Sequence, residues 1–159
     1  MDIPAATFLP DFLDHRARET PDGPCWIFGD RTWTWAQAED SIARAAGALR
    51  AAGVRRGQNV AVLEKNNPAV LQVLLGGCRI GASTTVVNWR LAGDELDYVL
   101  NDCRAEVVLV GHQLVDQLDL VRDRLEHVRT VVVVGGPDDT YEQWLAGAEA
   151  LQRDPEVEP

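Results

Sequence analysis

The sequence predicts an α/β fold: a doubly wound, mostly parallel sheet with helices on both faces, preceded by a short β-hairpin. Two observations lead there. Val- and Thr-rich runs at 59–63, 83–87, 106–110 and 130–134 alternate with stretches of helical spacing, the pattern of strands joined by helical crossovers. The runs also lack a regular polar alternate, which marks strands covered on both sides.

The elements follow in order. Pro10 at a first helical turn, Phe12 and Leu13 on one face, and the closing pair Thr20 and Pro21 predict a short leading helix. Residues 25–28 and 31–34 flank Gly29 and Asp30, two strand-like runs around a turn pair. Thr34 and Gln37 have capping-box spacing, and Ala38, Ile42, Ala45, Ala46 and Leu49 recur at helical intervals until Gly53. After the strand at 59–63, Asn67 and Pro68 supply an N-cap and a first-turn proline. Val70, Leu71, Val73, Leu74, Leu75, Cys78 and Ile80 then cover nearly every face of the next helix, which predicts burial almost all round. Further helices are expected over 94–102 and 114–125. A last one starts at Thr140, which has capping-box spacing to Gln143, and buries Trp144, Leu145 and Ala148. Residues 1–151 read as one α/β unit, and 152–159, polar, acidic and proline-bearing, as a linker.

A chain of 159 residues with 46% hydrophobic content fills a core without disulfide staples. Cys25, Cys78 and Cys103 are odd in number and widely spaced, so they form neither a disulfide framework nor a CxxC metal site. A net charge of -10 with no basic stripe argues against nucleic acid as a partner. No apolar run approaches the ~20 residues of a membrane span, and the first ten residues lack the regions of a secretory signal. The chain reads as cytoplasmic.

Few residues offer themselves for chemistry. Gly135 and Gly136 follow a predicted strand but form neither GxGxxG nor GxxxxGK, and Asp138 and Asp139 beside them oppose an anion; a turn is the expectation. His15, His112 and His127 have no partner at metal-ligand spacing. Asn88 and Arg90 are the loop candidates, because they lie just past the carboxyl end of a strand, where open parallel sheets bind ligands. The same two side chains also suit a loop held by side-chain to backbone hydrogen bonds, the reading favoured here. Arg55 with Arg56, and Arg122 with Arg124, lie among carboxylates on solvent faces, and the five tryptophans fall mostly on core or hairpin positions.

Several segments together resemble the front part of acyl-CoA synthetases, within the adenylate-forming (AMP-binding) superfamily. Trp33, Thr34 and Trp35 resemble its hairpin-to-helix entry. Gly53, Val54, Gly57, Val60, Ala61 and Val62 resemble its loop into the first core strand, and Asn67, Leu74, Gly81 and Ala82 its buried helix with a glycine stop. The segment from Asn88 to Leu91, continued by Glu95, Leu96, Tyr98, Leu100 and Asp102, is the closest match. Val86 stands where proline is common, Gln58 and Asn59 replace a usual Asp, and Cys103 replaces a common serine.

The resemblance implies an N-terminal scaffold of an enzyme whose intact form activates a carboxylic acid, expected to be a fatty acid, with ATP, as acyl-AMP, and passes it to CoA. The intact form would need ATP, Mg and CoA. The family's Ser/Thr/Gly-rich phosphate loop, adenine segment, hinge aspartate and catalytic lysine find no match here, so the chain reads as truncated and inactive alone, with no catalytic, cofactor or metal residues. Its expected partners are the remainder of the parent enzyme and, through an exposed apolar face, a second copy. The alternative is a self-sufficient, non-catalytic α/β binding module. A dinucleotide-binding domain is disfavoured by the missing glycine fingerprint.

Overall fold

The computed structural model describes residues 8–157. Helix α1 (Leu9–Glu19) leads into an antiparallel hairpin of β1 (Pro24–Phe28) and β2 (Arg31–Thr34). Its turn passes through Gly29 at φ 58°, a left-handed conformation that glycine adopts without a Cβ penalty. Helix α2 (Trp35–Ala51) starts in a complete capping box: the Gln37 amide donates to the Thr34 hydroxyl at 3.2 Å, and the Thr34 amide donates to Gln37 Oε1 at 3.0 Å. These two bonds satisfy backbone donors that the first helical turn leaves free.

The sheet is made of β3 (Asn59–Leu63), β4 (Ser83–Val86), β5 (Ala105–Gly111) and β6 (Thr130–Val134), all parallel, in the order β4-β3-β5-β6. Helix α3 (Pro68–Arg79) carries the chain from β3 out to β4, and α4 (Asp94–Asp102) carries it back across to β5. Asn67 caps α3 by accepting from the Ala69 amide at 2.9 Å. In the aligned register Val60 and Val62 lie beside Val107 and Leu109, and Leu109 beside Val132. Strand periodicity sends this set to one face, against Ala45, Leu49 and Val73 of α2 and α3 and against Tyr141 and Leu145 of α6 (Tyr141–Ala146). Ala61, Leu63, Val108 and Val110 turn to the other face, against Leu96 and Leu100 of α4 and Leu118 of α5 (Val115–Asp119). Helices therefore cover both faces of the sheet.

The alanine-rich face of α2 lets α3 come close. A Cβ at Gly76 would lie 2.8 Å from the Ala46 nitrogen and 3.0 Å from the Ala45 Cβ, so only glycine fits at that crossing.

Three expectations are corrected. The helix expected over 114–125 is a 3-10 turn (His112–Leu114), the five-residue α5, and a second 3-10 turn (Arg122–Arg124). No side chain caps its start, and burial of Leu114, Leu118 and Val121 places these short pieces where a helical ladder alone would not hold. At α6 the Thr140 hydroxyl accepts from the Val133 amide of β6 at 2.9 Å, and Asp139 takes over the capping, accepting from the Tyr141 amide at 2.7 Å. Burial of α3 is incomplete: Leu71 is 46% exposed, because β4 beside it is an open edge.

The segment read as a linker lies back across α2 and α3 as far as Val157, which is buried. Its last residues, 158–159, and residues 1–7 of the expected α/β unit lie outside the described residues.

Candidate functional site

The chain leaves β3 toward β4 on one side and returns to β5 on the other, so the carboxyl ends of β3 and β5 flank the point where strand order reverses. Open α/β sheets bind ligands in the crevice at that point. The loop after β3 brings Glu64 and Lys65 there, the loop after β4 brings Asn88, Trp89 and Arg90, and the loop after β5 brings His112 and Gln113.

Asn88 and Arg90 are both exposed. Asn88 Oδ1 accepts from the Arg90 amide at 3.1 Å, and the Asn88 carbonyl from the Leu91 amide at 3.0 Å, a side-chain turn that mimics a backbone one. The Arg90 guanidinium sits 4.1 Å from the Trp89 ring centroid, and the Lys65 ammonium 4.9 Å from it. Such contacts contribute about 0.5–1 kcal/mol each at exposed positions. Lys65 also donates to Gln113 Oε1 at 2.9 Å, while Gln117 donates to the carbonyl of Trp89 at 3.1 Å and to that of Leu91. Lys65 and Gln117 thus tie neighbouring loops together, while Asn88 and Arg90 engage their own loop.

Gly135 and Gly136 take φ of 75° and 74°. The Gly135 amide donates to Asp139 Oδ2 at 2.8 Å, so the loop's own carboxylate occupies the place a phosphate oxygen would need. The glycines are required for a different reason: a Cβ at Gly136 would lie 2.7 Å from Cγ of His112. This loop does not fit the phosphates of a nucleotide. His15 and His127 lie on α1 and beyond α5, apart from His112. Among the described residues no group of three or more His, Cys, Asp or Glu is placed to hold a metal ion. The three cysteines are half-buried free thiols, and burial pushes Cys25 and Cys78 above the ordinary thiol range, which disfavours the nucleophilic thiolate. Arg122 pairs with Asp119, and Arg124 with Asp94 and Asp97.

Sequence reasoning passed over Lys65, Gln113 and Gln117. Lys65 was findable, since it follows a core strand as directly as Asn88 does; the two glutamines carry no local signal. It also passed over the place of the apolar surface. Ile27, Phe28, Leu71 and Val86 are exposed at 71%, 45%, 46% and 55%, and they line one groove of about 380 Å³ between the hairpin, α3 and the β4 edge. Ser83 and Val87 donate to Gln58 and Val62 on the β3 side, so strand alternation turns the backbone groups of Thr84 and Val86 outward along that groove.

A model of the AMP-binding enzyme family matches residues 13–159. The chain belongs to that family. It is 36% identical over 154 residues to an indoleacetate–CoA ligase of Aromatoleum aromaticum, covering 95% of this chain and 30% of the relative. It is 29% identical over 137 residues to a medium/long-chain-fatty-acid and 3-oxocholest-4-en-26-oate CoA ligase of Mycobacterium tuberculosis, covering 86% of this chain and 25% of the relative. Among solved structures, the N-terminal domain of FACL13 from Mycobacterium tuberculosis superposes with a TM-score of 0.86 at 26% identity, over 96% of this chain and 39% of that one. An anthranilate CoA ligase in complex with anthranoyl-AMP superposes with a TM-score of 0.85 at 26% identity, over 98% and 32%. This AMP-binding family chain spans about a third of the length of those relatives. No helix among its described residues is long and apolar enough to cross a membrane.

Proposed function

We propose that the chain is the N-terminal scaffold of an acyl-CoA synthetase and that it has no turnover by itself. The intact ligase would activate a carboxylic acid with ATP to acyl-AMP and pyrophosphate, then transfer the acyl group to the thiol of CoA. The single observation that carries this reading is the superposition of nearly the whole chain on part of a ligase N-terminal domain. The geometry of the carboxyl edge supports the passive role. In-line attack on a phosphate needs cationic groups or Mg to neutralise developing charge, whereas the two cations of this edge, Lys65 and Arg90, are solvent-exposed and lie against Trp89. Acid class is held at the level of a carboxylic acid, because the relatives' names span aromatic and fatty acids.

In this reading the remainder of the ligase covers the groove of Ile27, Phe28, Leu71 and Val86 and the open β4 edge. Without that cover, the same groove drives association of two copies. Pyrophosphate release from ATP by the isolated chain, measured with and without a panel of aromatic and fatty acids, tests the proposal. No acid-dependent release is expected, and turnover would overturn it. Light scattering across a dilution series gives the second arm. Concentration-dependent association that Val86→Lys abolishes fits the uncovered face; a monomer at every concentration, with no binding of an apolar-surface dye, points to a self-sufficient module.

A further inference from the structure

We infer that residues 148–157 form a strap latched by Arg79, and that the strap and α1 open as one unit. Arg79, near the end of α3, is fully buried. Its guanidinium donates to Asp14 of α1, to Glu39 of α2 at 3.0 Å and 3.1 Å, and to the Leu151 carbonyl of the strap at 3.1 Å. One cation therefore joins three helices and the returning chain. The Arg79 carbonyl also accepts from the Asp154 amide at 2.9 Å, and the Ala43 carbonyl from the Leu151 amide at 2.9 Å. Around this centre Arg50 pairs with Asp154 at 3.2 Å, and Arg153 reaches back to Asp11 of α1 at 3.2 Å and lies 5.2 Å from the Phe8 ring centroid.

The seat is shaped for the strap. A Cβ on Gly47 of α2 would lie 1.8 Å from the Glu149 carbonyl oxygen, and one on Gly81 3.0 Å from the Val157 side chain. Gly47 sits inside a helix, where glycine costs about 0.8–1.0 kcal/mol relative to alanine; passage of the strap explains its presence.

The latch is also imperfect. Among the described residues, Nε of Arg79 and Nε of Arg50 are buried without a partner, and an unmet buried donor opposes folding. Burial pushes the Asp14 carboxyl up; Arg79 pulls it down, and Glu39, which shares the guanidinium, pushes it up again. A buried charge cluster contributes little net stability, and its best-attested use is to select one arrangement over others. Here the arrangement selected is α1 and strap closed together over α2 and α3.

Native-state hydrogen exchange on the whole chain tests this. In unmodified protein at low denaturant, the Leu151 and Asp154 amides and the amides of α1 are expected to merge on one opening isotherm, below that of β3 and β5. Gly47→Ala, which removes no Arg79 partner but drives a methyl against the Glu149 carbonyl of the strap, should speed exchange at Leu151 and Asp154 by about tenfold or more, and α1 by the same factor. Arg79→Gln should do the same while β3 and β5 stay protected. Should Arg79→Gln fail to fold, the unmodified protein and Gly47→Ala still decide. Separate isotherms for strap and α1, strap amides exchanging at unprotected rates, or a Gly47→Ala effect confined to the strap would each overturn the inference.

Discussion

Replacing Gly76 by alanine sets helix propensity against helix packing, and the structure says which wins. In the interior of α3 the change gains about 0.8–1.0 kcal/mol of intrinsic helix propensity. The new methyl would stand 2.8 Å from the Ala46 nitrogen, 3.0 Å from the Ala45 Cβ and 3.0 Å from the Ile42 carbonyl oxygen. Favourable carbon contacts lie near ~3.5–4.0 Å, so α2 and α3 must separate by roughly 0.5–1 Å. Two of the three atoms are backbone and cannot rotate away, which puts the cost at about 2–3 kcal/mol, the upper part of the roughly 1–3 kcal/mol range for overpacking. The expected result is a net loss of about 1–2 kcal/mol. Gly77→Ala is the control. Its methyl would meet the Thr84 hydroxyl at 3.1 Å and the Ala82 carbonyl at 3.5 Å, and that hydroxyl has no hydrogen-bond partner among the described residues to lose when it turns. Gly77→Ala should be neutral or slightly stabilising. Urea unfolding followed by tryptophan fluorescence reads both: with a slope of about 1–3 kcal/mol per molar, Gly76→Ala lowers the midpoint by roughly 0.5–1 M at unchanged slope. An equal or higher midpoint for Gly76→Ala, or equal damage from Gly77→Ala, refutes the reasoning.

Tyr141→Phe removes the 2.7 Å bond that the buried hydroxyl donates to Gln72 Oε1, leaving that oxygen unmet at a cost of about 1–3 kcal/mol, measurable by the same unfolding assay. Burial pushes the Tyr141 hydroxyl well above its ordinary pKa, so phenolate absorbance should show Tyr141 ionising only when the protein unfolds. Asp139→Ala deletes the acceptor for the Gly135 and Tyr141 amides and should cost about 1 kcal/mol, with faster hydrogen exchange confined to the loop after β6 and α6. Asp154 is held below its ordinary carboxyl pKa of 3.8 chiefly by the Glu156 amide, against an upward push from desolvation, with Arg50 also lowering it. Its folded pKa being the lower one, its contribution is complete above the unfolded value and is lost as pH falls through the folded value. Strap amides should therefore lose protection in strong acid before β3 and β5 do, and Asp154→Asn should remove that acid step.

The sequence by itself determined the elements whose signals are local. The capping box of Thr34 and Gln37, the Asn67–Pro68 helix start and the turn at Gly29 are settled within four residues of chain, and each forms as its chemistry dictates. The Val-rich runs likewise pointed to a parallel sheet covered on both faces, which holds for the central strands β3 and β5, whereas β4 is an exposed edge with Val86 55% exposed. The family resemblance rested on such local segments in a fixed order, and the match over residues 13–159 rests on the same stretch.

Only the tertiary structure decided matters that depend on pairs far apart in sequence. Thr140 lost its capping role because β6 offered its hydroxyl a backbone donor, and the helix expected after Leu114 broke because burial of its leucines, rather than its own ladder, held it in place. Nothing local in the sequence marks Gly47 or Arg79: the glycine is needed because Glu149 lies across it, and the arginine is buried because Asp14, Glu39 and Leu151 close around it. Polar and acidic composition marked 152–159 as linker because it measures affinity for water. It carries no information about the Arg79 carbonyl, Arg50 or Asp11, to which Asp154 and Arg153 are bound from far along the chain.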